Sequence, residues 1–164
     1  MTGRARPDGP PEAFGRLERE IALLLRRARV ISQRLAEELH PDLDGAAYGL
    51  LALLQDCGPL RAGDLVLRLG QDKSTVSRQV ARLVELGLVE RSVDPADGRA
   101  QVLAPSTEGS ARLARIRAAR RARWEADLSD WPTEDVATLA ELLARINRIG
   151  EAREAEAGGR LAEE

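Results

Sequence analysis

Between residues 59 and 103 the hydrophobic spacing changes from a helical period to a two-residue alternation, and that change admits few folds. Gly58 and Pro59 end one helical pattern. A short helix is predicted over residues 62–69, with Leu65, Val66 and Leu69 inward, and Gly70 supplies a turn. Asp72 then opens a second helix as its N-cap, and this helix runs through Leu86 to a stop at Gly87. Residues 88–93 and 99–103 alternate as two short strands, separated by the turn formers Asp94, Pro95, Ala96, Asp97 and Gly98. This order specifies a helix-turn-helix carrying a hairpin wing.

Helical seams flank the segment. Phe14, Leu17, Ile21, Leu24, Ala28, Ile31 and Leu35 recur in steps of three and four down one long predicted helix, which Pro41 ends. A helix of that length cannot bury its whole seam within so small a domain, so part of it is expected to meet a second subunit. A second helix is predicted over residues 45–57. A fifth begins after Pro105 with Ser106 as N-cap and carries Leu113, Ile116, Trp124 and Leu128 until Trp131 and Pro132 break it. A sixth opens at Thr133 and carries Val136, Leu139, Leu142, Leu143, Ile146 and Ile149. Only 2% of residues are aromatic, so the core falls to Leu, Val, Ile and Ala, and the Leu and Ala among them favour helix.

Several function classes find no foothold. The single histidine, His40, has no nucleophile at a recognisable spacing, and neither a Gly-rich phosphate loop nor a metal-ligand cluster is present in the sequence. No enzyme, cofactor or metal is therefore expected. His40 precedes Pro41 at a helix end, where a cation would suit the dipole. The lone Cys57 rules out an intramolecular disulfide, suits a reducing cytoplasm, and reads as an inert thiol. No apolar run approaches the roughly 20 residues of a membrane span, and the first dozen residues lack the apolar core of an export signal. A cytoplasmic protein is expected. The net charge of −2 argues against nucleic acid only if charge is spread evenly, and the acidic excess after Gly150 shows that it is not.

The chemistry lies on the fourth helix. At roughly 100° per residue, Val76, Val80 and Leu83 share a narrow arc that must face the core. Ser74, Arg78, Ala81 and Arg82 lie opposite, with Thr75 and Ser77 on the flanks and Lys73, the only lysine, at the start. A face of small hydroxyls and cations fits a major groove about 12 Å wide, and the helix N-terminus offers amides to phosphate. Alone, such a face is more often merely solvated. Its place between a short helix and a turn-rich hairpin favours the reading of double-stranded DNA. At the hairpin, Asp97, Gly98 and Arg99 are expected to form the tip, with Gly98 left-handed, Arg99 reaching a minor groove, and Asp97 holding its guanidinium. A winged helix that binds protein instead is the alternative. It would need large exposed apolar side chains on the fourth helix, and that face offers none.

The run from Asp72 through the wing, with Gly87-Leu88-Val89-Glu90-Arg91 and then Asp94, Asp97 and Arg99, resembles the core of the MarR family of regulators. The likeness extends over about residues 14–150 and is most specific in the wing. It implies a homodimer whose first, fifth and sixth helices associate and whose winged lobes straddle DNA. It also implies that Ser74, Thr75, Ser77 and Arg78 face the groove, that Arg99 lies at the wing tip, and that Asp97 is the wing-bracing acid. A pocket for a small aromatic or phenolic effector is implied too, for which Arg27, His40, Tyr48 and Trp124 are the candidates. Two positions depart from the pattern: Pro105-Ser106 replaces the usual Leu-Thr, and Val66 stands where a small alanine is common. The expected fold is thus mainly α with a small β-hairpin wing, a winged helix-turn-helix with flanking dimerisation helices. Residues 1–11 are expected as a disordered N-terminal arm, 12–44 and 106–150 as dimerisation helices, 45–105 as the DNA-binding lobe, and 151–164 as an Ala/Glu-rich tail.

Overall fold

The computed structural model describes the backbone of residues 10–161 and the side chains of residues 11–150. Of the arm expected over residues 1–11, residues 1–9 lie outside it, as do the last three residues of the tail, while Pro10 and Pro11 already belong to a helix. The chain forms α1 (Pro10–Leu39), α2 (Gly45–Cys57), β1 (Leu60–Arg61), α3 (Ala62–Leu69), α4 (Lys73–Glu85), β2 (Val89–Asp94), β3 (Asp97–Pro105), α5 (Thr107–Asp127) and α6 (Thr133–Leu161). The result is mostly helical with one small three-stranded antiparallel sheet, ordered β1-β3-β2. Two compact units divide at Gly49 and Leu50, within α2.

In the first unit, the apolar seam of α1 is covered only near its end. Leu35, Ala36 and Leu39 are buried, whereas Phe14, Leu17, Leu24 and Ile31 are exposed, Phe14 by 68%. The corner into α2 is closed by polar contacts. Asp44 accepts the Ala47 amide at 2.8 Å, and the Gln33 side chain accepts the Gly45 amide at 3.1 Å. A Cβ on Gly45 would stand 3.1 Å from the α1 backbone, so this close crossing depends on glycine. At the end of α1 the Asp42 amide donates to His40 Nδ1 at 3.1 Å.

In the second unit, Leu65, Val76, Leu83, Val89, Leu103 and Leu113 are among the fully or nearly buried side chains, drawn from α3, α4, both wing strands and α5. Gly70 takes φ 58° between α3 and α4, and Gly87 takes φ 67° after α4, which is why both turns are tight and both residues are glycine. Ser106 caps α5 as its type suggests, accepting the Gly109 amide at 3.0 Å. The same hydroxyl donates to the Gly87 carbonyl at 2.6 Å, and the Ser106 amide donates to the Leu88 carbonyl at 3.0 Å. The ends of α4, β2 and β3 and the start of α5 thus meet in one joint.

The wing differs from expectation at its tip. The hairpin closes on Pro95 and Ala96, with Asp94 paired to Asp97, and Gly98 lies within β3 without a left-handed conformation. The physical reason is turn chemistry. Asp94 Oδ1 accepts the Ala96 amide at 2.8 Å, and proline in the next position presets the φ that such a turn requires. A bulge between Val93 and Asp94 adjusts the strands to this short loop. The two-residue strand β1 was not anticipated. It pairs Leu60 with Leu103 and Arg61 with Val102, joining the helix-turn-helix to the wing.

Candidate nucleic-acid interface

The arc expected to face the core does so: Val76, Val80 and Leu83 are at most 4% exposed. Gln79 is buried beside them, which the helical wheel did not flag. Ser74, Ser77, Arg78 and Ala81 are exposed on the other side of α4, while Thr75 and Arg82 are half-buried.

Asp72 organises the start of this helix. Its carboxylate accepts the Thr75 amide at 2.9 Å and the Ser74 hydroxyl at 2.5 Å. These bonds, led by the Ser74 hydroxyl, hold the Asp72 carboxyl far below its ordinary value. The Thr75 amide, expected to be available to phosphate, is therefore already taken. Arg78 is ordered by the same turn, since its Nη2 donates to Thr75 Oγ1 at 3.0 Å. Arg82 pairs with Glu85 at 2.7 Å along the helix, an exposed bond worth about 0.3–0.5 kcal/mol that a phosphate could readily replace. Carboxylate, hydroxyls and guanidinium thus form one chain of hydrogen bonds from Asp72 to Arg78.

Lys73 and Ser77 also border a second feature. They line a cleft of about 360 Å³ with Val66, Leu67, Val80 and Arg91, between α3, α4 and the sheet. Val66, noted as a departure from the usual alanine, is one of its walls. None of Arg27, His40, Tyr48 and Trp124 lines this cleft. Arg27 is exposed on α1, Tyr48 is buried in α2, and Trp124 is 53% exposed on α5.

On the wing, Arg99 is exposed near the tip as expected, but Asp97 does not hold its guanidinium. Asp97 Oδ1 accepts the Arg99 backbone amide at 3.1 Å, and its other oxygen lies 3.6 Å from Nη2 of Arg61. Arg61 also binds Asp94 with Nε at 2.7 Å and Nη2 at 2.6 Å. Asp94 is held below its ordinary value by the Ala96 amide first and by Arg61 second, and Arg61 is raised chiefly by its bond to Asp94. No local pattern paired Arg61 with Asp94, because they are 33 residues apart in the chain. Tertiary packing also brings Arg68 to the exposed Cys57, with Nη1 3.6 Å from Sγ, a cation the neighbouring sequence does not contain.

A recognition helix with a cationic outer face, set beside a hairpin, gives the second unit the architecture of a winged helix-turn-helix DNA-binding protein. Known proteins agree. A sequence model of the MarR family matches residues 42–100. The HTH-type transcriptional regulator YxaD of Bacillus subtilis (strain 168) is 33% identical over 132 residues, covering 80% of this chain and 91% of the relative. A probable transcriptional regulator from Pseudomonas aeruginosa superposes with a TM-score of 0.55 at 31% identity, covering 79% of this chain and 98% of that one. A mutant MarR from E. coli, solved in complex with operator DNA, matches at 25% identity with a TM-score of 0.56, covering 77% and 93%. The chain belongs to the MarR family of transcriptional regulators. Members of this family are regulators and not enzymes. Among the described residues no helix is long and apolar enough to cross a membrane, and no group of three or more His, Cys, Asp or Glu could hold a metal ion.

Proposed function

We propose that two copies of this chain bind a pseudo-palindromic operator in the cytoplasm as a repressor that an aromatic or phenolic effector releases. Each α4 enters a major groove with Lys73, Ser74, Thr75, Ser77, Arg78 and Arg82, and each Arg99 enters a flanking minor groove. The observation that carries this reading is the bond from Arg78 to Thr75 at 3.0 Å, which holds a guanidinium in place on the outward face. A pre-positioned arginine loses little entropy when it meets a guanine edge. The exposed seams of α1 and α6 support the dimer, since a second copy would cover Phe14, Leu17, Leu142 and Ile146. The effector reading moves to the cleft beside α4, whose apolar walls and two cations, Lys73 and Arg91, suit an apolar anion.

The test begins by selecting duplexes from random DNA with the parent protein. Arg78→Ala then weakens binding to the selected duplex by about 1–3 kcal/mol and broadens the base preference. Arg99→Ala weakens binding with a smaller change in preference. Affinity falls steeply with added salt, as counterion release requires. Parental binding by both variants would refute this docking.

A further inference from the structure

We propose that Arg61 is a positioning residue for the wing: it clasps Asp94 and Asp97 and so fixes the tip, and with it Arg99, relative to the helix-turn-helix. The inference rests on the DNA-binding reading above, but the clasp itself is a matter of geometry. Arg61 is the last residue of β1 and immediately precedes α3, so its backbone belongs to the helix-turn-helix. Its side chain caps nothing on α3. It reaches the wing instead, and Nε and Nη2 converge on one oxygen of Asp94 at 2.7 and 2.6 Å, with Asp97 at 3.6 Å.

An isolated surface ion pair would contribute little. Here the Asp94 side chain is only 12% exposed, and its other oxygen closes the tip by accepting the Ala96 amide. Asp97 in turn accepts the amide of Arg99. The guanidinium thus holds the two carboxylates that set the backbone on either side of the turn. There is also a charge argument. Two carboxylates at the tip of an element meant to approach phosphate would repel it, and Arg61 offsets part of that charge. Two β1 residues pairing with β3 are few anchors for a wing, and the clasp adds one at the far end, across the sheet.

The experiment turns on a sign. Asp94→Asn removes a negative charge from the wing, which by charge alone strengthens DNA binding. If Asp94 serves the clasp, the same substitution weakens binding of the selected duplex about fivefold, the loss of one well-made ion pair. Arg61→Gln weakens binding to a similar degree, and the double variant is no weaker than either single one. Hydroxyl-radical footprints lose their outer protections and keep the central ones. On the free protein, hydrogen exchange across residues 94–99 speeds up in Arg61→Gln. Equal or tighter binding by Asp94→Asn overturns the proposal, as does unchanged exchange in Arg61→Gln. Failure of the parent to select any duplex would instead refute the DNA-binding reading, and the exchange measurement would still decide the clasp.

Discussion

A Cβ built on Gly109 would stand 2.1 Å from the carbonyl oxygen of Leu88, a backbone atom that cannot swing aside. Glycine is a poorer helix former than alanine, so its presence there fits such a close approach. The sequence held this signal three residues after the cap Ser106, but a helical wheel treats glycine as neutral and passes over it. Gly109→Ala should therefore destabilise the protein by at least about 1–3 kcal/mol, despite alanine's better propensity, and thermal melting reads the loss. A melting temperature equal to or above the parent's would show that the contact relaxes freely. Asp72 makes a second prediction at this scale. Its folded value is depressed below the ordinary 3.8, so its contribution to stability is present above that value and is lost as pH falls through the folded one. Carboxyl NMR should find Asp72 ionised at a pH where exposed aspartates are half protonated. Titration at the ordinary value would mean that Ser74 and Thr75 do not hold it.

At the scale of elements, what could be read in the sequence was what local period encodes. The helices emerge because each carries its own apolar seam and its own cap or glycine stop, as α4 does with Asp72 and Gly87. The outward face of α4 was legible for the same reason. The hairpin tip was not, because Gly98 is a strong turn former and drew the turn past Pro95, whereas the Asp94 side chain closes the loop two residues earlier. β1 escaped because two residues show no alternation, and its identity comes only from pairing with β3. The Arg61 clasp, and the cleft shared by α3, α4 and the sheet, arise from packing between segments and leave no local trace. Element junctions should be correspondingly sensitive. Ser106→Ala removes both the cap on α5 and the bond to the Gly87 carbonyl, and should cost about 1–2 kcal/mol in urea denaturation. An unchanged midpoint would mean that water replaces both bonds without loss.

For the whole molecule, overall charge proves a poor guide, since a chain with net charge −2 presents Arg78 and Arg99 from a recognition helix and a wing. Exposed apolar residues are more informative. Leu139, Leu142, Leu143, Ile146 and Ile149 recur along α6 and are all at least 40% exposed, a stripe that a monomer would leave in water. The parent should sediment as a dimer, and Ile146→Glu should shift it toward monomer with its helix content kept and its DNA affinity lowered. A parent that sediments as a monomer at micromolar concentration would refute the dimer. The joint at Ser106 bears on how such an assembly would work as a mechanism of moving parts. Ser106 is hooked to Gly87, its amide is bonded to Leu88, and Gly109 is seated on the Leu88 carbonyl, so three contacts join the start of α5 to the end of α4. A torque applied along α5 would have these contacts as its route to the fourth helix.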